Sequence, residues 1–164
     1  MKENRRIAIV PGSFDPITVG HLDLIQRAKE QYDEVIVAVM INPQKQYLFS
    51  MQERKAIAEA AVKEIQGVRV ISSEGMLWQL AKEEKACAIV KGYRNQQDYD
   101  YEMNMAKFNQ AQYPQAQTVL LPSDGRWNTI SSTKVRAALS RGEDVSAFVP
   151  AAALSVIQGF LSHS

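Results

Sequence analysis

One cysteine, two histidines and no long apolar run set the first limits on this sequence. Cys87 stands alone, so no internal disulfide is possible, and a reducing compartment is the expectation. It lies in "ACAIV", which reads as part of a core strand. Cys87, His21 and His163 show no zinc-like spacing, which argues against a structural or catalytic zinc site. The first apolar run, "IAIV" at residues 7–10, follows "MKENRR" and is too short for a secretory signal. Nothing approaches the roughly 20 apolar residues of a membrane span. A cytoplasmic protein without a membrane partner is expected.

Charge of one sign is also missing. Nineteen Lys and Arg against 18 Asp and Glu leave a formal charge of +1, so no broad field draws in duplex nucleic acid or an anionic membrane. A nucleotide-sized anion needs only a local cluster. Two nucleotide motifs are absent as well: G-x-x-x-x-G-K-[ST] occurs nowhere, and G-x-G-x-x-G does not follow the first strand. Ordinary kinase-type and dinucleotide-type sites are therefore poor readings.

What is present is the size and pattern of one α/β domain over residues 1–164. Short apolar runs at 7–10, 35–39, 87–90 and 119–121, with a partly alternating one at 68–71, read as strands. Helical stretches lie between them: 20–32, 50–65, 75–84 and 99–111. In the second, Ser50 and Glu53 fit a capping box, and Ile57, Ala61 and Ile65 share a face. The expectation is a Rossmann-like parallel five-stranded sheet flanked by helices. Residues 131–142 and 150–161 add two C-terminal helices, which sequence leaves free to pack on the sheet or on another subunit.

Loops at 11–18, 41–49, 72–75, 91–97 and 122–129 leave the strand carboxyl ends, where ligands bind in such sheets. "PGSFDPITVGH" carries more polar chemistry than a turn needs. Its His21 lies near a helix amino terminus suited to phosphate and can donate through either ring nitrogen. Lys45 follows the second strand as a mobile point charge. In "IVKGYR", Lys91 and Arg94 flank Gly92, so two cations and backbone can meet an anion together. Asp98 and Glu102, four residues apart on the next helix, can pair with basic neighbours, orient Arg94 or contact a ribose. Ser131, Ser132 and Thr133 crowd a helix start, as caps or as phosphate donors. Trp127 stacks on a base or anchors its loop. Asp15 either reaches a metal through water or fixes the loop.

These segments, "PGSFDPITVGH", "NPQK", "VKGYRNQQDYDYE" and "WNTISSTKVR", resemble the bacterial phosphopantetheine adenylyltransferase family over nearly the whole chain. "TVGH" and "ISSTKVR" are similar to the paired signatures of the wider nucleotidylyltransferase superfamily. The resemblance implies attack of 4′-phosphopantetheine on the α-phosphorus of ATP, giving dephospho-coenzyme A and pyrophosphate without a covalent enzyme intermediate. It makes His21, Lys45 and Arg94 the catalytic set, with His21 stabilising the transition state. It puts Ser13, Phe14, His21, Gly92, Tyr93, Arg94, Glu102, Trp127, Asn128, Thr129, Ile130, Ser131, Ser132 and Thr133 around ATP. Ser13, Lys45, Leu77 and Lys91 fall near phosphopantetheine. It further implies Mg²⁺, a homohexamer and feedback binding of coenzyme A.

Ser13 stands where threonine is frequent in that family, and Lys91 where arginine is frequent. Serine keeps the hydroxyl, whereas lysine keeps the charge but loses the bidentate fork. No obvious carboxylate pair is present, so Mg²⁺ is expected on phosphates and water, with no protein ligand assigned. The alternatives are transfer to another small phosphate, such as nicotinate mononucleotide or glycerol phosphate, and a nucleotide sensor without turnover.

Overall fold

The computed structural model describes residues 5–162; residues 1–4, His163 and Ser164 lie outside them. Five strands form one sheet, β1 (Ile7–Gly12), β2 (Glu34–Met40), β3 (Val68–Ser73), β4 (Ala88–Tyr93) and β5 (Gln117–Pro122). Their order is β3-β2-β1-β4-β5, and every neighbouring pair is parallel. Six helices accompany them, α1 (Val19–Gln31), α2 (Met51–Val62), α3 (Leu77–Glu83), α4 (Gln96–Gln112), α5 (Ser132–Ser140) and α6 (Ala151–Ser162). The expected Rossmann-like α/β sheet with C-terminal helices is the observed fold.

The strands are continuous apolar runs because both faces are covered. Successive side chains alternate between two cores. Ala8, Val10, Val35, Val37, Val39, Ala88 and Val90 point to the larger one, shared with Ile25 of α1, Ile57 of α2, Val135 of α5 and Ile157 of α6. Ile9, Ile36, Ala38 and Ile89 point to the smaller one, under Leu80 and Ala81 of α3. Burying each such Val, Ile or Leu is worth roughly 1.5–3 kcal/mol. α6 packs against α2, and Val135 and Ala138 of α5 with Ala153 and Ile157 of α6 are buried in this chain's larger core.

Several boundaries differ from the sequence reading, for local reasons. Every strand runs further toward its carboxyl end than its apolar run, so Pro11, Gly12, Lys91, Gly92 and Tyr93 belong to the sheet and not to loops. Parallel pairing holds them: Gly12 is opposite Val39, and Gly92 opposite Leu121. α2 stops at Val62, and Ile65 packs on the core from the turn beyond it. α4 starts earlier than expected because Asn95 caps it, its side-chain oxygen accepting from Asp98 N at 2.8 Å. Cys87 lies just before β4 and is only partly buried, not fully within the core.

Because β4 sits beside β1, the chain reverses direction across the sheet between these two strands. The loops after β1 and β4 therefore part to opposite sides and leave a crevice at the carboxyl edge.

Candidate active site

The loop after β1 is folded tightly. Phe14 adopts a left-handed backbone (φ 48°) with its ring buried at 3% exposure. That ring lies so close to Gly12 that a β-carbon there would meet it at 3.1 Å, which is why glycine is needed. The Phe14 ring meets the His21 imidazole edge-on, centroids 5.0 Å apart. Only the Phe14 backbone is thus available to a ligand.

His21 forms half of a capping box at the start of α1. Its Nδ1 accepts from Thr18 N at 3.0 Å, while His21 N donates to Thr18 Oγ1 at 3.3 Å. An Nδ1 that accepts a backbone N–H carries no proton, so the neutral ring holds its proton on Nε2. The sequence expectation that either nitrogen can donate is corrected: Nε2 is the donor. Burial of the ring, reinforced by the positive charge of Arg94, lowers its pKa from 6.5 to about 4. At neutral pH His21 is an uncharged hydrogen-bond donor.

Asp15, 1% exposed, accepts from Leu48 N at 2.9 Å and Phe49 N at 3.0 Å. Its second role is met by Arg136, which donates to the Asp15 carbonyl at 2.9 Å and approaches the carboxylate at 3.8 Å. The loop-fixing reading of Asp15 is the one observed. It joins the β1 loop, the segment after β2 and α5.

These three segments enclose a cavity of about 240 Å³ lined by Ser13, Asp15, Lys45, Gln46, Tyr47, Thr133 and Arg136. Ser13, Lys45 and Thr133, far apart in the chain, are brought together there. Burial pushes the Tyr47 phenol up, but hydrogen bonds with Ser13 and Asn42 and the charges of Arg54 and Lys45 outweigh this and lower its pKa.

The three hydroxyls of α5 divide their work. Ser131 caps the helix by accepting from Lys134 N at 3.2 Å, Ser132 donates to the Pro16 carbonyl at 2.8 Å, and Thr133 Oγ1 accepts from Arg136 at 3.2 Å. All three hydroxyls are thus bonded within the framework, and Thr133 also lines the cavity. The first amides of the helix remain outside its own bonding pattern and are suited to an anion.

On the other side of the crevice, Asp98 accepts from Arg94 N at 3.1 Å and lies 3.5 Å from its Nε, so it orients Arg94. Lys91 Nζ meets Glu102 Oε1 at 2.6 Å, tying β4 to α4. The Tyr93 ring is edge-on to Tyr99 at 5.0 Å. Trp127 ends a 3₁₀ turn, Gly125–Trp127, under the Arg126 guanidinium. Its Cβ would lie 3.5 Å from a β-carbon on Gly20, so the turn reaches the start of α1. Asn128 and Ile130 donate back to Gly125 and Trp127, while Thr129 and Ile130 flank a small hollow beside Phe148. Leu77 opens α3 and packs on the smaller core; it does not line the cavity.

Residues 9–138 match the cytidylyltransferase-like family model. The chain is 43% identical over 149 residues to phosphopantetheine adenylyltransferase of Heliobacterium modesticaldum, covering 91% of this chain and 89% of that protein. It is 46% identical over 143 residues to the enzyme of the same name from Cutibacterium acnes, covering 87% and 90%. The chain belongs to the phosphopantetheine adenylyltransferase family.

In this phosphopantetheine adenylyltransferase-family chain, the sequence reading passed over Tyr47, Arg54 and Arg136. Arg136 stands three residues after Thr133, one helical turn away, a spacing that puts both on one face. Arg54 lies on the same stripe of α2 as Ile57 and Ala58, both fully buried. A charge on an apolar stripe was the available signal.

Proposed function

We propose that this chain transfers the adenylyl group of ATP to 4′-phosphopantetheine, giving dephospho-coenzyme A and pyrophosphate. The observation that carries the reading is the meeting of Lys45, Arg136 and the hydroxyls of Ser13 and Thr133 around one cavity. Neutral His21, within reach of the Arg94 charge, supports the reading as an uncharged donor. Family membership at 40–46% identity supports it over nearly the full chain.

The acceptor phosphate is already an anion at neutral pH, so no protein nucleophile is required. One of its oxygens forms a bond to the α-phosphorus while the bond from that phosphorus to the bridging oxygen breaks. The electron pair leaves with pyrophosphate. Enzyme residues then have two tasks, to align two polyanions and to stabilise charge on the reacting phosphoryl group. Lys45, Lys91 and Arg94 offset the repulsion, and His21 donates from Nε2 to the phosphoryl oxygens. Backbone around Ser13, Phe14 and Gly92, together with Tyr93, Glu102 and residues 127–133, forms the ATP side in this proposal. Ser13, Lys45, Leu77 and Lys91 form the phosphopantetheine side.

Among the described residues no group of three or more His, Cys, Asp or Glu is arranged to hold a metal. The one buried carboxylate at the cavity, Asp15, is committed to backbone amides. That donor set suits Mg²⁺ that arrives on the ATP phosphates with its water, where it would neutralise phosphate charge.

The proposal extends to a single domain spanning the chain, a cytoplasmic location, no nucleic-acid or membrane partner, and a homohexamer. Among the described residues no helix is long and apolar enough to cross a membrane. Tyr101, Met105 and Phe108 lie exposed along α4 at helical spacing, which supports burial against further copies. Coenzyme A, carrying the same pantetheine arm as the product, is the proposed feedback ligand.

The test is pyrophosphate release from ATP and magnesium, with phosphopantetheine and rival phosphate acceptors run in parallel. Release that depends on phosphopantetheine and yields dephospho-coenzyme A is expected. Product only with a rival acceptor would replace the substrate, and ATP binding without product would make the chain a sensor.

A further inference from the structure

Arg54 is 1% exposed, and among the described residues it forms no ion pair with a carboxylate. Burying a guanidinium without a counter-ion is costly, so its retention in an apolar stripe asks for an explanation. Three of its five N–H donors go to backbone carbonyls. Nε donates to the Phe49 carbonyl at 3.2 Å, and Nη1 donates to Ser13 at 2.8 Å and Met40 at 3.0 Å. Its plane lies over the Tyr47 ring, 3.9 Å from the centroid.

Tyr47 in turn closes the loop that carries Lys45. Its hydroxyl accepts from Asn42 N at 2.7 Å, and Asn42 accepts from Gln44 N and Lys45 N at 3.0 Å each. A continuous path therefore runs from Arg54 through the Tyr47 ring to Asn42 and Lys45. A second, shorter path runs from Arg54 to the Ser13 carbonyl. Both end on residues that line the cavity.

We infer that Arg54 is a positioning residue for the acceptor phosphate: from beneath the cavity it fixes Ser13 and, through Tyr47, the loop bearing Lys45. Its uncompensated charge adds to the pull on an incoming phosphate, which serves as the missing counter-ion. This rests on the adenylyl-transfer reading and names the side of the reaction that Arg54 serves.

Steady-state kinetics of Arg54→Met, Arg54→Lys and Tyr47→Leu, with each substrate varied in turn, test the inference. Arg54→Met is expected to raise KM for phosphopantetheine about tenfold or more, as loss of charged hydrogen bonds implies. Its KM for ATP, which shares only Ser13 with the acceptor side, should rise by a clearly smaller factor, and Arg54→Lys should recover part of the loss. Tyr47→Leu removes the stack without touching the backbone bonds of Arg54, so it reads the same path even if Arg54→Met does not fold. It should weaken acceptor use in the unaltered background but have little further effect once Lys45→Ala is present. Additive effects of Tyr47→Leu and Lys45→Ala, or equal changes in both Michaelis constants, would overturn the inference. Calorimetric binding of 4′-phosphopantetheine to the same variants reads the contrast without turnover. A folded but inactive wild-type protein would then defeat the activity assignment alone.

Discussion

At His21, one backbone hydrogen bond decides the chemistry. Thr18 N occupies Nδ1, so the proton of the neutral ring sits on Nε2, and burial with the nearby Arg94 charge depresses the pKa to about 4. The unfolded chain binds this proton near pH 6.5, the folded protein only near pH 4, so the unfolded state holds more protons between those values. The stability associated with neutral His21 is complete above about pH 6.5 and is lost as pH falls toward 4, by up to about 3 kcal/mol. Denaturant titrations from pH 7.5 to 4.5 should show this loss, and His21→Gln should remove the part due to the ring. In a His163→Gln background, nitrogen-15 NMR should find one imidazole protonated at Nε2 and not titrating above pH 5. Titration near 6.5 would contradict the geometry.

At the scale of elements, the site is a set of ties between segments that the chain order keeps apart. Asp15 joins the β1 loop to residues 48 and 49, Ser132 joins α5 to Pro16, and Lys91 joins β4 to Glu102 of α4. The last of these is a mostly buried ion pair, and Glu102 Oε1 itself is shut off from water. Lys91→Ala should raise KM for phosphopantetheine by about tenfold, the loss of one charge-assisted contact, and should also lower thermal stability, because the buried Glu102 oxygen loses its cation. An unchanged Michaelis constant would confine Lys91 to the framework. The pairing of Asp98 with Arg94 is legible in the sequence, because a spacing of four on one helix needs no tertiary information. Arg54 is not, because its partners are carbonyls of Ser13, Met40 and Phe49, which carry no side-chain signature.

For the whole molecule, the switch between β1 and β4 gathers the cations of a nearly neutral chain at one edge. In our proposal, local concentration replaces net charge as the means of holding phosphate. The exposed Tyr101, Met105 and Phe108 of α4 lie outside both cores and belong to assembly in our proposal. Sedimentation should find six copies of the 18.4 kDa chain, and Phe108→Glu should shift the protein toward smaller species by placing a charge on that stripe. A wild-type monomer at micromolar concentration would refute the hexamer.

The sequence by itself determined the order of strands and helices, since apolar runs and helical stripes follow from which faces must leave water. It also carried the family, through the resemblance of "PGSFDPITVGH", "NPQK", "VKGYRNQQDYDYE" and "WNTISSTKVR" to known relatives. Tertiary structure alone decided the His21 tautomer, the structural use of Asp15, Ser131 and Ser132, the position of the α6 tail and the buried place of Arg54. Each of these depends on which backbone groups come within hydrogen-bond reach across long separations in the chain, and side-chain identity does not encode that distance.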